Sequence, residues 1–175
     1  MREAADLTRI RAFMRALGEA GRAPSRVYFT GGATAVLHGW RDSTIDVDLK
    51  FSPDRDELLR ALPDIKERLR LNVELAAPID FIPVRRDWED RSPFIAQEGR
   101  LAFHHFDYCA QVLAKIERGH EQDAVDVANF LSLGLVSRDQ LTGYFAAIEP
   151  DLYRYPALDP AAFRQRVKQV VGTEP

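Results

Sequence analysis

Two aspartates one residue apart, Asp46 and Asp48, and a glycine pair, Gly31-Gly32, are the residues of this chain best suited to chemistry. Residues i and i+2 of a strand project from the same face, about 7 Å apart. Two carboxylates so placed repel one another unless a cation lies between them, and a hard cation such as magnesium takes oxygen ligands. A strand that ends in Gly-Gly before a helix lets backbone approach a ligand closely. The free N–H groups and partial positive charge of the helix start then favour phosphate. Either feature alone has a plainer reading, a tight turn for the glycines and a solvated acidic face for the aspartates. Their combination is more specific, because Asp46 follows Gly32 by only 14 residues, with Arg41 and Thr44 between. That spacing lets two adjacent strands hold glycines and carboxylates on opposite sides of one polyphosphate. Arg41 can contact phosphate or pair with Asp42 or Asp46, and Thr44 can bond locally.

The elements that must position these residues follow from periodicity. Leu7, Ile10, Met14 and Leu17 have helical spacing, with Gly18 and Gly21 ending the run. Val27-Tyr28-Phe29 is a short strand that stops at the glycines, and Ala33 to His38 is a helix closed by Gly39. From Thr44 to Phe51 the chain alternates, with Ile45, Val47 and Leu49 on one face and Asp46, Asp48 and Lys50 on the other. Pro53 and Pro63 each open a helical stretch. Asn72 to Leu75 is a third strand, with Val73 and Leu75 on its apolar face. Phe94–Ala96 and Leu101–Phe106 flank a hairpin turn at Glu98-Gly99.

After Asp107 the pattern is helical throughout. Cys109, Val112, Leu113 and Ile116 share one face; Ala124, Val127, Ala128 and Leu131 share another after a break at Gly119. Further helices cover Ser137 to Ile148 and Pro160 to Val171. The predicted class is α/β (α+β), with a small mixed sheet flanked by helices over residues 1–107 and a helical bundle over 108–175 packed on it.

Composition sets the bounds. The 175 residues carry a net charge of −3, so binding to nucleic acid would need a local basic patch. Cys109 is the only cysteine, which excludes an intrachain disulfide and fits a reducing, cytoplasmic setting. No segment has the roughly 20 apolar residues of a membrane span, and the N-terminus lacks the apolar run of a secretory signal. His104 and His105 face opposite ways on a regular strand, so they and Cys109 make a poor zinc set. Trp40, Tyr28 and Phe29 are candidates for stacking a base.

The stretch from Gly31 to Phe51, GGATAVLHGWRDSTIDVDLKF, resembles the signature of the DNA polymerase beta-like nucleotidyltransferase superfamily. The wider chain is similar to small bacterial nucleotidyltransferases related to the toxins of abortive-infection (AbiE-type) systems. That likeness extends through VELAAPIDFIP from Val73, WEDRSPFIA from Trp88 and KIERGHEQDAVDV from Lys115. It implies a nucleotidyltransferase fold in which Gly31 and Gly32 hold the phosphates of a nucleoside triphosphate. Asp46 and Asp48 would bind Mg2+ or Mn2+. A third carboxylate, Glu74 or Asp80, would complete the metal and catalytic set, with Glu74 favoured by its place on the polar face of the third strand. A glutamate there departs from the usual aspartate. Lys115 matches a lysine placed near the triphosphate, with Asp123 and Asp126 available to orient it or Arg118. His120 stands where an arginine is expected. The implied reaction moves a nucleoside monophosphate to an acceptor hydroxyl on RNA such as tRNA, on a protein or on a small molecule such as an aminoglycoside. An antitoxin is the implied partner. The competing reading is a nucleotide-binding, antitoxin-like module without catalysis.

Overall fold

The computed structural model describes residues 2–172. The chain forms two compact units. One, here the sheet unit, contains the residues up to Ala77 together with Ser92–Phe106. The other, the helical unit, contains Pro78–Arg91 and the residues from Asp107 onward.

The sheet unit consists of β1 (Ala5–Asp6), α1 (Leu7–Ala20), β2 (Ser25–Thr30), α2 (Gly32–His38), β3 (Ser43–Thr44), β4 (Asp46–Ser52), α3 (Asp56–Arg68), β5 (Asn72–Glu74), β6 (Phe94–Glu98) and β7 (Leu101–His105). Five strands form one mixed sheet in the order β5-β4-β2-β7-β6, and β1 pairs with β3 in a small second sheet. β2 runs antiparallel to β4 and parallel to β7, while β4 and β5 are parallel. The fold is the mixed α+β arrangement of a nucleotidyltransferase, as expected.

β2 is central and covered on both faces, which is why Val27, Tyr28 and Phe29 form an unbroken apolar run with no solvent exposure. Tyr28 and Phe29 therefore cannot stack a base. β4 has one wet face, so it alternates: Val47, Leu49 and Phe51 are buried, and Asp46, Asp48 and Lys50 are half-exposed. Ile45 breaks the expected alternation at 78% exposure, because the chain bends between β3 and β4 and buries Thr44 instead. Leu75 is likewise exposed, since β5 ends at Glu74.

α1 opens on Asp6, whose carboxylate accepts from Arg9 N–H at 2.8 Å, and buries Ile10, Phe13, Met14 and Leu17. Gly18 lies inside this helix rather than ending it. A Cβ there would stand 2.7 Å from the Glu98 carbonyl, and one on Gly99, at φ +57, would stand 2.6 Å from the Gly18 carbonyl. The helix and the β6–β7 turn are thus in backbone contact through two glycines. α3 also differs from expectation, running through Pro63 as one helix. Leu58, Leu62 and Ile65 keep one buried face on both sides of the proline, and that packing offsets the lost hydrogen bond.

The helical unit begins with a 3-10 turn, Pro78–Asp80, and continues in α4 (Tyr108–Arg118), α5 (Glu121–Ser132), α6 (Arg138–Ile148) and α7 (Pro160–Gly172). Cys109, Val112, Leu113 and Ile116 are buried on α4 as their spacing requires. α6 has a reciprocal cap between Ser137 and Gln140, and edge-to-face rings of Phe145 and Phe163 at 5.1 Å join it to α7. Segment 78–91 is fastened to these helices by Arg91 on Asp107 at 2.8 Å and by the Tyr155 hydroxyl donating to the Ile79 carbonyl at 2.7 Å.

α5 departs from the sequence reading. Its inward residues are Asp123, Asp126, Val127 and Phe130, whereas Ala124 and Ala128 of the expected apolar face are exposed. Among the described residues no helix is long and apolar enough to cross a membrane.

Candidate functional site

The turn between β2 and α2 is shaped by what approaches it. Gly31 has φ 60 and ψ −130, a backbone state that side-chain-bearing residues avoid at a cost on the order of 1–3 kcal/mol. A Cβ at this position would lie 3.0 Å from Asp48 Oδ2. One on Gly32 would lie 2.0 Å from Thr44 Oγ1 and 3.3 Å from an Arg41 guanidinium nitrogen. Both glycines are therefore needed for close approach, and the approaching groups are three of the predicted site residues. The antiparallel register sets this meeting, because Thr30, just before the turn, pairs with Asp48. Thr44 donates its hydroxyl to the Asp46 carbonyl at 3.0 Å, which fixes the start of β4.

Asp46 and Asp48 share the half-exposed face of β4. The parallel register on β5 places Asn72 beside Asp46 and Glu74 beside Asp48. The Asn72 amide nitrogen donates to Asp46 Oδ1 and to Glu74 Oε1, the latter at 3.3 Å, while its oxygen accepts from Arg2. Asn72 thus bridges two carboxylates and is itself oriented by a cation. Sequence reasoning missed it, since a single amide at the first position of a strand has no periodic signature.

Among the described residues no three His, Cys, Asp or Glu side chains converge as a metal cage. The donor set fits a different arrangement, in which magnesium takes one or two protein carboxylates and completes its octahedron with substrate phosphates and water. Asp46 and Asp48 beside a glycine turn are the residues that would hold such an ion.

Stacked histidines pack against α2. His105 Nδ1 lies 3.0 Å from Thr34 Oγ1, and the His38 ring stacks on His105 at 4.6 Å and on Trp40 at 5.5 Å. Burial, with His38 and His104 adding to it, pushes the His105 pKa down to about 3; burial also lowers that of His38. Trp40 is thus packed on an imidazole. His104 points the other way, onto Tyr28 and Phe94, so the two adjacent histidines do not converge. Burial pushes the Cys109 thiol up to about 11, far from the thiolate that zinc requires.

The remaining predicted residues lie in the helical unit. Asp80 ends the Pro78–Asp80 turn. Lys115 is buried, with Nζ 2.7 Å from Asp126 and 3.4 Å from Asp123. Arg118 donates twice to Asp123, at 2.8 and 2.6 Å. Burial works to raise the Asp123 pKa, but the Arg118 hydrogen bond and the Lys115 and Arg118 charges hold it below its ordinary value. His120 precedes α5 and donates its backbone N–H to Asp123.

Comparison with families decides the coarse assignment. The family described as nucleotidyltransferase of unknown function (DUF6036) matches residues 5–168. The chain belongs to this family. The match runs from β1 into α7, so the nucleotidyltransferase family pattern takes in the glycine turn, the aspartate pair and the helices alike. Comparison with curated proteins and with solved structures gave no match.

Proposed function

We propose that this chain is a metal-dependent nucleotidyltransferase whose active centre is built on Gly31, Gly32, Asp46 and Asp48. The observation that carries the reading is the Asp48 carboxylate seated 3.0 Å from where a side chain at Gly31 would begin. A carboxylate and a bare backbone turn this close suit a ligand with both cation and phosphate. Magnesium or manganese, held by Asp46 and Asp48, would neutralise charge on the triphosphate and on the leaving pyrophosphate. Gly31 and Gly32 leave room for the phosphates, and Arg41, beside Gly32, supplies a planar donor fork. Thr44 acts by positioning the Asp46 backbone.

In the proposed reaction an acceptor hydroxyl oxygen attacks the α-phosphorus. The bond from that phosphorus to the β-phosphate oxygen breaks, and pyrophosphate departs with its electron pair. Glu74, beside Asp48 on the same sheet, is preferred to Asp80 as the group that takes the hydroxyl proton. Catalysis is then mainly positioning and charge neutralisation. The resemblance to polymerase beta-like enzymes and to abortive-infection toxins supports an RNA acceptor such as tRNA and an antitoxin partner. A protein side chain or an aminoglycoside-type hydroxyl is the alternative acceptor.

The test is incubation with each labelled nucleoside triphosphate, magnesium, and total RNA or lysate. Asp46→Asn with Asp48→Asn should lower transfer by at least about a thousandfold, on the order of 4 kcal/mol of transition-state stabilisation, while the melting temperature hardly changes. Undiminished labelling by that double variant would sink the proposal. Triphosphate binding without transfer to any acceptor would favour the binding-module reading.

A further inference from the structure

Residues 2–6 grip Asp46 from two sides within the sheet unit. On one side β1 pairs with β3, with Ala5 opposite Thr44, and Thr44 in turn donates to the Asp46 carbonyl. On the other, Arg2 donates to Asn72 Oδ1, and Asn72 Nδ2 donates to Asp46 Oδ1 and Glu74 Oε1. The approach of Arg2 is itself held. Glu3 donates its backbone N–H to the Arg70 carbonyl at 2.8 Å, and its carboxylate accepts from Arg70 at 3.2 Å and from Arg9. Arg70 stands just after α3 at φ 53, where glycine is the usual residue. A glycine would relieve the backbone but could not reach the Glu3 carboxylate.

Chemistry fixes which way the Asn72 amide points. A guanidinium only donates and an ionised carboxylate only accepts, so the amide oxygen faces Arg2 and the NH2 group faces Asp46 and Glu74. Arg2 thereby locks the amide, and the amide occupies one of the two Asp46 carboxylate oxygens. A carboxylate with one oxygen committed presents the other to a cation. That suits magnesium, which is small, octahedral and content with one or two carboxylates. It suits calcium less, because calcium collects more oxygens and often takes both from one carboxylate.

We propose that Arg2 and Asn72 are positioning residues that make the aspartate pair selective for a small octahedral cation over calcium. Arg2 acts through Asn72, and Asn72 acts through Asp46. The inference rests on the transferase reading, because it concerns the same aspartates. Charge alone gives a different result. Removing a guanidinium beside carboxylates strengthens the binding of any divalent cation, and does so equally for magnesium and calcium. The ratio of the two affinities therefore reports the geometry of Asp46.

The experiment is manganese binding to the full chain, followed by electron paramagnetic resonance without nucleotide and competed by magnesium or by calcium. Magnesium should displace manganese from the unaltered chain at about a tenfold lower concentration than calcium. Arg2→Met and Asn72→Leu should each remove most of that roughly tenfold preference. Arg2→Lys, which keeps a donor, should retain the larger part. Arg2→Met added to Asn72→Leu should change the ratio no further, because the first residue works through the second. The melting temperature should hardly move with Arg2→Met, since Arg2 is exposed. If Asn72→Leu misfolds, the Asn72 side-chain amide protons give a second readout by NMR. They should exchange slowly in the unaltered chain and fast in Arg2→Met. A magnesium preference that Arg2→Met leaves intact would overturn this proposal and leave the transferase reading standing, as would losses from the two substitutions that simply add. No manganese bound by the unaltered chain would overturn the metal-dependent reading, and this proposal with it.

Discussion

Asp46, Asp48 and Glu74 gather like charges on a wet edge of the sheet, whereas Lys115, Arg118, Asp123 and Asp126 balance two cations against two anions within the helical unit. In the second group Asp123 and Asp126 are almost wholly buried, and each has a direct cationic partner. In the first, Asp46 and Glu74 share the amide of Asn72. The contrast separates two uses of charge. The buried members of the paired cluster, Lys115, Asp123 and Asp126, hold helices in place and could be drawn to a ligand only at a large penalty. A half-exposed cluster of one sign would keep its affinity for a cation, as the proposed reaction requires.

The sharpest way to break that distinction is at Lys115. Lys115→Met leaves Asp126 buried without its closest cation and should cost about 3–5 kcal/mol in denaturant unfolding. Adding Asp126→Leu should restore most of the loss, since an apolar pair can replace a buried ion pair. A Lys115→Met protein that unfolds normally yet transfers no nucleotide would instead move Lys115 into the chemistry.

Acid should act on the sheet unit through His105. Its folded pKa of about 3 lies below the unfolded value of 6.5, so the unfolded chain binds the extra proton as pH falls between them. Stability from this group is full above about pH 6.5 and declines below it, by up to about 1.4 kcal/mol per pH unit. His38, also lowered by burial, adds to the decline. Denaturant curves from pH 7 to pH 4 should show this slope, and His105→Asn should flatten it. An unchanged slope in that variant would place the acid sensitivity elsewhere.

Gly31→Ala should cost about 1–3 kcal/mol by forcing a residue with a Cβ into a glycine-only conformation against Asp48. It should also weaken triphosphate binding in a filter assay, unlike a stability variant in α3. Smallest is Asn72→Leu, which frees Asp46 and Glu74 from their shared donor. Transfer should fall about tenfold, with the magnesium requirement shifted to higher concentration. An unaltered magnesium dependence would reduce Asn72 to a strand-pairing role.

The parts legible in the sequence are those where one face meets water and the other meets core. Val47, Leu49 and Phe51 announced β4, and the same alternation put Asp46 and Asp48 together. Ile45 and Leu75 misled because each continues an apolar pattern just past the point where its strand begins or ends. The inner face of α5 was illegible for another reason. Asp123 and Asp126 read as surface residues by type, and only the arrival of Lys115 and Arg118 from α4 makes their burial tolerable. Pro63 marks a boundary in isolation, yet the leucine stripe of α3 overrides it.

Gly18 and Gly99 make α1 and the β6–β7 hairpin mutual moulds. Because each glycine presses on the other's neighbourhood, enlarging either one pushes two elements apart at once, and shrinking neither can compensate. An engineer who wished to split, permute or shorten the sheet unit would find the loop at residues 99–100 a poor place to cut, even though it sits at a hairpin tip where insertions are usually harmless. Gly99 and Arg100 are exposed to solvent, yet the tip is pinned by backbone contact to a helix some eighty residues earlier.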